Sequence, residues 1–202
     1  MAFHGDRVRV LVIPGLHDSG PTHWQSRLQA HFRHAVRVQQ HDWAAPDLTA
    51  WAERIEATLA AHPPARWVAV AHSFGCLALL RYLAARHPAC DRHHGVQSAL
   101  LVAPADPDKF SIAPLLPQDR LGIDTVLIAS ETDPWMAYPQ VSRWARAWGS
   151  HLINLGDAGH INVASGFGPL PLATSVAQQL IHRAERERRI DRAHPMEWSF
   201  AD

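Results

Sequence analysis

The sequence predicts an α/β protein: a three-layer α/β/α sandwich in which about six parallel strands are covered by helices on both faces. Short apolar runs recur along the chain, at 8–13, 67–71, 96–103, 125–130 and 151–155, and continuous rather than alternating apolarity marks strands buried on both sides. Between them lie segments long enough for about three turns of helix, at 22–32, 48–61, 74–86 and 138–148. Strand and helix alternate, as right-handed crossovers in one parallel sheet require. A content of 47% hydrophobic residues in 202 fills one sizeable core, so a single domain is expected over 1–187, followed by an extension at 188–202.

Taken in order, the first strand ends at Pro14-Gly15 and opens a loop, and the first helix follows. A weaker strand fits around 36–39. Pro46-Asp47-Leu48-Thr49 starts the second helix, and His62-Pro63-Pro64 stops it. The strand at 67–71 runs almost directly into the helix at 74–86. The stretch 103–121 carries Pro104, Pro107, Pro114 and Pro117 and breaks the rhythm; it reads as a loop excursion, too short for a large cap domain. A last helix is expected at 171–188. Its charged end at 185–189 reads as solvated, and Trp198 and Phe200 beyond it can dock on the body.

Composition excludes several classes of partner. Lys plus Arg and Asp plus Glu each number 19, so no net field recruits nucleic acid or an anionic membrane. The two cysteines, Cys76 and Cys90, make no disulfide framework and fit a reducing compartment. The first apolar run is interrupted by Arg9 and is too short for a signal segment, and no run approaches the roughly 20 residues that span a bilayer. A cytoplasmic protein is expected. His17, His23, His31, His34 and His41 cluster in sequence, but His31 and His34 have no carboxylate or cysteine companions at metal-ligand spacing, so no metal and no cofactor are expected.

The chemistry centres on Ala71-His72-Ser73-Phe74-Gly75. A serine on a sharp turn between a buried strand and a helix projects its hydroxyl above the sheet edge, and small flanking residues let strand and helix approach. Ala71 stands where the pattern G-x-S-x-G has its first glycine, a small departure. The alternative, Ser73 as an ordinary helix cap, leaves two correctly ordered partners unexplained. His72 is adjacent, but consecutive strand residues point to opposite faces, so it is assigned a structural or supporting role.

Those partners follow later strands. The run 125–130 ends in Glu131-Thr132-Asp133-Pro134-Trp135, and 151–155 ends in Gly156-Asp157-Ala158-Gly159-His160. Both place their residue at the carboxyl edge of the sheet, where ligand sites of open α/β sheets form. His160 is the expected base and Asp133 the acid that fixes its tautomer. Glu131, Asp106 and Asp157 compete with Asp133; Asp157 lies close to His160 in sequence and Asp106 follows an earlier strand, so both rank below it. An oxyanion needs two N–H donors, expected from Phe74 and, in the loop Pro14-Gly15-Leu16-His17, from Leu16. His17, Trp135, Phe167 and the Phe74 ring are candidates to line a substrate pocket.

With these residues in place, the chain resembles the small serine-hydrolase family that includes the retinoblastoma-binding-protein type and its bacterial YdeN-like relatives. The resemblance covers roughly 8–182 and rests on Pro14-Gly15-Leu16, Ser19-Gly20-Pro21, His23-Trp24-Gln25, the Ser73 segment, Asp133-Pro134, Gly159-His160-Ile161-Asn162 and Ser165-Gly166-Phe167-Gly168. It implies an α/β-hydrolase fold without a large lid, a Ser/Asp/His triad and no cofactor. The expected function is hydrolysis of small esters, or amides, through an acyl-enzyme on Ser73. The competing expectation is a protein-binding module that has kept a hydrolase scaffold; reaction of Ser73 with an acylating probe separates the two.

Overall fold

The computed structural model describes residues 8–85 and 95–193. Cys90, Trp198 and Phe200, on which expectations were stated, lie outside the described residues. In chain order the elements are β1 (Arg9–Ile13), α1 (Trp24–His31), β2 (Val36–Arg37), α2 (Leu48–Ala60), β3 (Arg66–His72), α3 (Phe74–Ala85), β4 (Gly95–Val102), β5 (Asp124–Ala129), α4 (Tyr138–Trp148), β6 (His151–Asn154) and α5 (Pro171–Ala193). The strands form one six-stranded sheet in the order β2-β1-β3-β4-β5-β6, with every neighbouring pair parallel.

Alternation along each strand divides the core into two layers. Leu11, Ile13, Trp67, Ala69, Ala71, Leu101 and Leu127 meet Trp51 and Ile55 of α2, Leu77 and Leu80 of α3, and Val141 and Trp144 of α4. Val10, Val12, Val68, Val70, Leu100 and Ile128 meet Trp24 and Leu28 of α1 and Ala173 and Ala177 of α5. Both faces of the central strands are covered, which is why these strands read as largely apolar runs. Burial of this surface, at about 25 cal/mol per Å², is the main stabilising term.

Local signals set the helix ends. The Asp47 carboxylate accepts a hydrogen bond from the Ala50 N–H and caps α2. Pro139 lies in the first turn of α4, where its missing N–H costs nothing. The structure departs from the sequence reading in three places. The strand around 36–39 is only two residues long, Val36–Arg37, and lies at the edge of the sheet beside β1. The excursion after β4 is not all loop: it contains two short 3-10 helices, Pro107–Phe110 and Ala113–Leu115. Finally, α5 continues to Ala193, past the expected helix end at 188.

The β3–α3 junction is tight. A Cβ on Gly75 would lie 2.3 Å from the Pro14 carbonyl oxygen and 2.6 Å from that of Ile13, both backbone atoms that cannot swing away. Gly75 thus lets α3 seat against the end of β1. Gly75→Ala is expected to destabilise the protein by about 2–3 kcal/mol through overpacking, read as a lower urea midpoint at unchanged m-value. A midpoint equal to that of the unsubstituted protein would show that the junction is looser than described.

Candidate active site

Ser73 follows β3 directly and sits at φ 53, in the left-handed region that a non-glycine residue adopts only when its surroundings fix it. They do so here: the Ser73 N–H donates to the Val102 carbonyl at 3.1 Å, and the Ser73 carbonyl accepts from Cys76 N–H at 3.0 Å. The sharp turn forms with alanine at position 71, whose methyl group packs into the α2/α3 core. A second loop crosses over the serine. A Cβ on Gly15 would meet the Ser73 Cβ at 2.8 Å and its Oγ at 3.4 Å, so the backbone after β1 lies against the hydroxyl.

Two later loops bring up the partners. His160 Nε2 lies 2.9 Å from Ser73 Oγ, and its Nδ1 lies 2.9 and 3.0 Å from the two Asp133 oxygens. The carboxylate can only accept, so Nδ1 carries the proton and Nε2 presents a lone pair to the serine hydroxyl. The His160 and Asp133 side chains are only 8% and 4% exposed, so their pairing is shielded from water. Asp133 is itself oriented by the Trp135 N–H, which donates to Oδ1 at 2.9 Å. The competing carboxylates are engaged elsewhere. Glu131 accepts from Asn154, Asp157 from Thr132, and Asp106 caps the first 3-10 helix and accepts from Gln140.

The other candidates are distributed unevenly. Trp135 is 43% exposed, with its ring centroid 6.0 Å from that of His160 and the Lys109 ammonium 5.5 Å from its own. Lys109 also donates to the Pro134 carbonyl at 2.7 Å, tying the excursion to the Asp133 loop. Phe74 is fully buried, and its ring stacks edge-on between Trp51 and Phe110, so the ring belongs to the core. Phe167 is directed into the α1/α5 core layer. His17 is exposed at φ 66, and its N–H donates to the Trp43 carbonyl at 2.8 Å. Among the described residues, the N–H groups of Leu16 and Phe74 have no hydrogen-bond acceptor.

Several residues around the site had no role assigned from sequence. Ser130 Oγ accepts from the Ala158 N–H and Thr132 Oγ1 from the Gly159 N–H, joining the Asp133 and His160 loops. His23 caps α1, its Nδ1 accepting from the Gln25 N–H at 3.1 Å, and its ring lies 5.0 Å from that of His72, which lies 4.9 Å from that of His160. Polar residues at helix starts are common, and nothing in the sequence marks these as neighbours of His160.

Burial, and then the Arg37 guanidinium, lowers the His23 imidazole to about 4. Burial, and then His160 and His23, hold His72 well below the usual imidazole range. Both rings are neutral in the folded protein near neutral pH. The unfolded chain takes up these protons as pH falls below about 6.5, whereas the folded chain resists until lower pH. The stability they contribute is therefore fully present above pH 6.5 and is lost as pH falls towards the folded His23 value of about 4. The melting temperature is expected to drop across that interval. His23→Asn keeps a capping acceptor without a titrating ring, and should flatten the drop; an unchanged slope would exclude His23 as a source.

Among the described residues no group of three or more His, Cys, Asp or Glu side chains could hold a metal ion, and no helix is long and apolar enough to cross a membrane. A family model described as serine hydrolase matches residues 10–179. The chain is 33% identical to a YdeN-like hydrolase of Pectobacterium atrosepticum, with 89% of this chain and 91% of that one covered and a TM-score of 0.77. The ydeN gene product of B. subtilis shares 20% identity over 85% of this chain and 97% of its own, with a TM-score of 0.68. The fold also matches an esterase of Thermogutta terrifontis at 12% identity, with 91% and 85% covered and a TM-score of 0.60. No functionally curated protein matches the chain at a significant level.

Proposed function

Because the chain belongs to the serine hydrolase family of the α/β-hydrolase fold, related to the YdeN-like hydrolases, we propose that it hydrolyses small esters through an acyl-enzyme on Ser73. The observation that carries this is the continuous hydrogen-bonded line from Ser73 Oγ through the His160 ring to Asp133. In acylation His160 Nε2 takes the hydroxyl proton as Oγ bonds to the substrate carbonyl carbon. The oxyanion so formed faces the N–H groups of Leu16 and Phe74, which are free to donate. The imidazolium then gives its proton to the departing alkoxide, and the alcohol leaves. Deacylation repeats the sequence with water: His160 takes a proton from water, hydroxide adds to the acyl carbon, and Ser73 leaves with the proton returned to it. Asp133 stabilises the imidazolium in both halves.

The lack of a cap domain among the described residues supports a small substrate. The excursion between β4 and β5 carries only two short 3-10 helices, so the described residues include no cap domain to enclose a long acyl chain. Trp135, half exposed beside His160, offers an apolar face for a short acyl or leaving group. Amides of comparable size are the harder variant of the same chemistry. A cytoplasmic setting suits Cys76, a buried free thiol. The test is a burst experiment with p-nitrophenyl esters of increasing acyl length, alongside fluorophosphonate labelling located by peptide mass spectrometry. A burst proportional to enzyme, adduct on Ser73 and a preference for short acyl groups are expected. A strong preference for long chains would overturn the size argument, and a folded protein that neither bursts nor labels would overturn the proposal.

A further inference from the structure

We infer that Trp24 and His72 are positioning residues for the catalytic base, holding from one side two consecutive peptide carbonyls of the turn that presents His160. The inference rests on the reading of His160 as the base.

The indole Nε1–H of Trp24 donates to the Ile161 carbonyl at 2.9 Å, and His72 Nε2 lies 3.1 Å from the carbonyl of His160 itself. A carbonyl oxygen only accepts, so the His72 proton resides on Nε2 and the ring acts as a neutral donor. The two rings are 1% and 5% exposed and meet edge to face, with centroids 5.8 Å apart. Each donor therefore works away from water on a partner that has little alternative.

The turn needs such support. Ile161 sits at φ 49, a region that β-branched side chains resist, so its backbone persists only if its surroundings over-determine it. On the N–H side the His160 amide donates to Ser165 Oγ at 3.0 Å. Trp24 and His72 complete the restraint on the C=O side. Neither side chain hydrogen-bonds to Ser73, whose Oγ is paired with His160 Nε2, so their action is through His160.

The brace is referenced to the strands that carry the nucleophile and the oxyanion loop. Gln25, next to Trp24, is fully buried, and its Nε2 donates to the Ile13 carbonyl at the end of β1 and to the Val70 carbonyl in β3, both at 3.1 Å. Its Oε1 accepts from Ser19 Oγ at 2.6 Å, in the loop after β1. His72 is the residue before Ser73. One cluster thus gauges the base against the nucleophile, and a shift of the turn by about 1 Å costs on the order of a hundredfold in rate when reacting groups lose alignment.

The test compares Trp24→Phe and His72→Phe, which remove the donors but keep apolar bulk, with His72→Gln, whose amide retains a donor of similar reach. Trp148→Phe is the control. Its indole, 1% exposed on the other face of the sheet, donates to the Pro117 carbonyl at 3.0 Å, so it loses the same kind of bond away from His160. With p-nitrophenyl acetate, kcat should fall about ten- to a hundredfold in both phenylalanine variants at unchanged KM. His72→Gln should retain most of the rate, and Trp148→Phe all of it despite a lower melting temperature. Normal kcat in folded Trp24→Phe and His72→Phe, or equal losses in His72→Gln and His72→Phe, would overturn the inference. If Trp24→Phe does not fold, the His72 pair decides. Ser73→Ala and His160→Ala run in parallel: if either keeps full activity the reading of the site itself fails, whereas if both are inactive and the donor variants are not, only the brace fails.

Discussion

Ser73→Ala lowers ester hydrolysis by a factor on the order of 10^5 to 10^6 and abolishes fluorophosphonate labelling. The expectation follows from the division of labour at the site. Without Oγ no acyl-enzyme forms, and His160 is left with water as the only nucleophile within reach. What survives is the contribution of the proposed oxyanion donors, the Leu16 and Phe74 N–H groups, and of substrate placement, which by themselves keep a rate above that in plain water. The folded state should be unaffected or slightly stabilised, since alanine removes a hydroxyl whose partner in the structure is His160. The measurement is kcat/KM for a p-nitrophenyl ester with a melting curve on the same sample. A loss of only a few-fold would mean that another group carries the chemistry.

Asp133→Asn gives the second large loss, about 10^4 in kcat, by a different route. Asparagine keeps the shape, and its Oδ1 can still accept from the Trp135 N–H, as Asp133 does at 2.9 Å. The NH2 then takes the place of Oδ2, which lies 3.0 Å from His160 Nδ1. A donor there opposes a proton on Nδ1 and favours the tautomer protonated at Nε2, in which Ser73 Oγ meets an N–H in place of a lone pair. The imidazolium formed in acylation also loses its counter-charge in a site shielded from water. The fall should lie in kcat rather than KM, because the carboxylate does not touch the substrate. If Asp133→Asn retained most of the rate, a different carboxylate would have to orient His160, and Asp157, three residues before it, would be examined next.

How much of this was legible beforehand divides along the range of the interactions. The strands could be read because burial on both faces leaves a signature in each run by itself. Ser73, Asp133 and His160 could be proposed because each stands just past a strand end, and their chemical types match the reaction. Phe74 shows where such reading stops: position assigns its N–H to the site, but only packing against Trp51 and Phe110 reveals that its ring belongs to the core. Phe167 likewise turns into the α1/α5 layer. Trp24 and Gln25 were noticeable as a motif, yet their work depends on partners far along the chain, and no local pattern encodes a hydrogen bond between residues 137 positions apart.

That separation also bears on how the protein acquires activity as it is made. The helix carrying Trp24 leaves the ribosome early, and the turn it grips is synthesised 137 residues later, an interval of roughly 7 to 27 s at about 5–20 residues per second. From its own synthesis until that of His160, 87 residues later, Ser73 is present on a growing chain without a base beside it, so the nascent protein carries an inert hydroxyl. Docking of the turn after β6 onto α1 is the step that switches the serine on, and hydrolysis becomes a report that the chain has closed between α1 and the turn at His160.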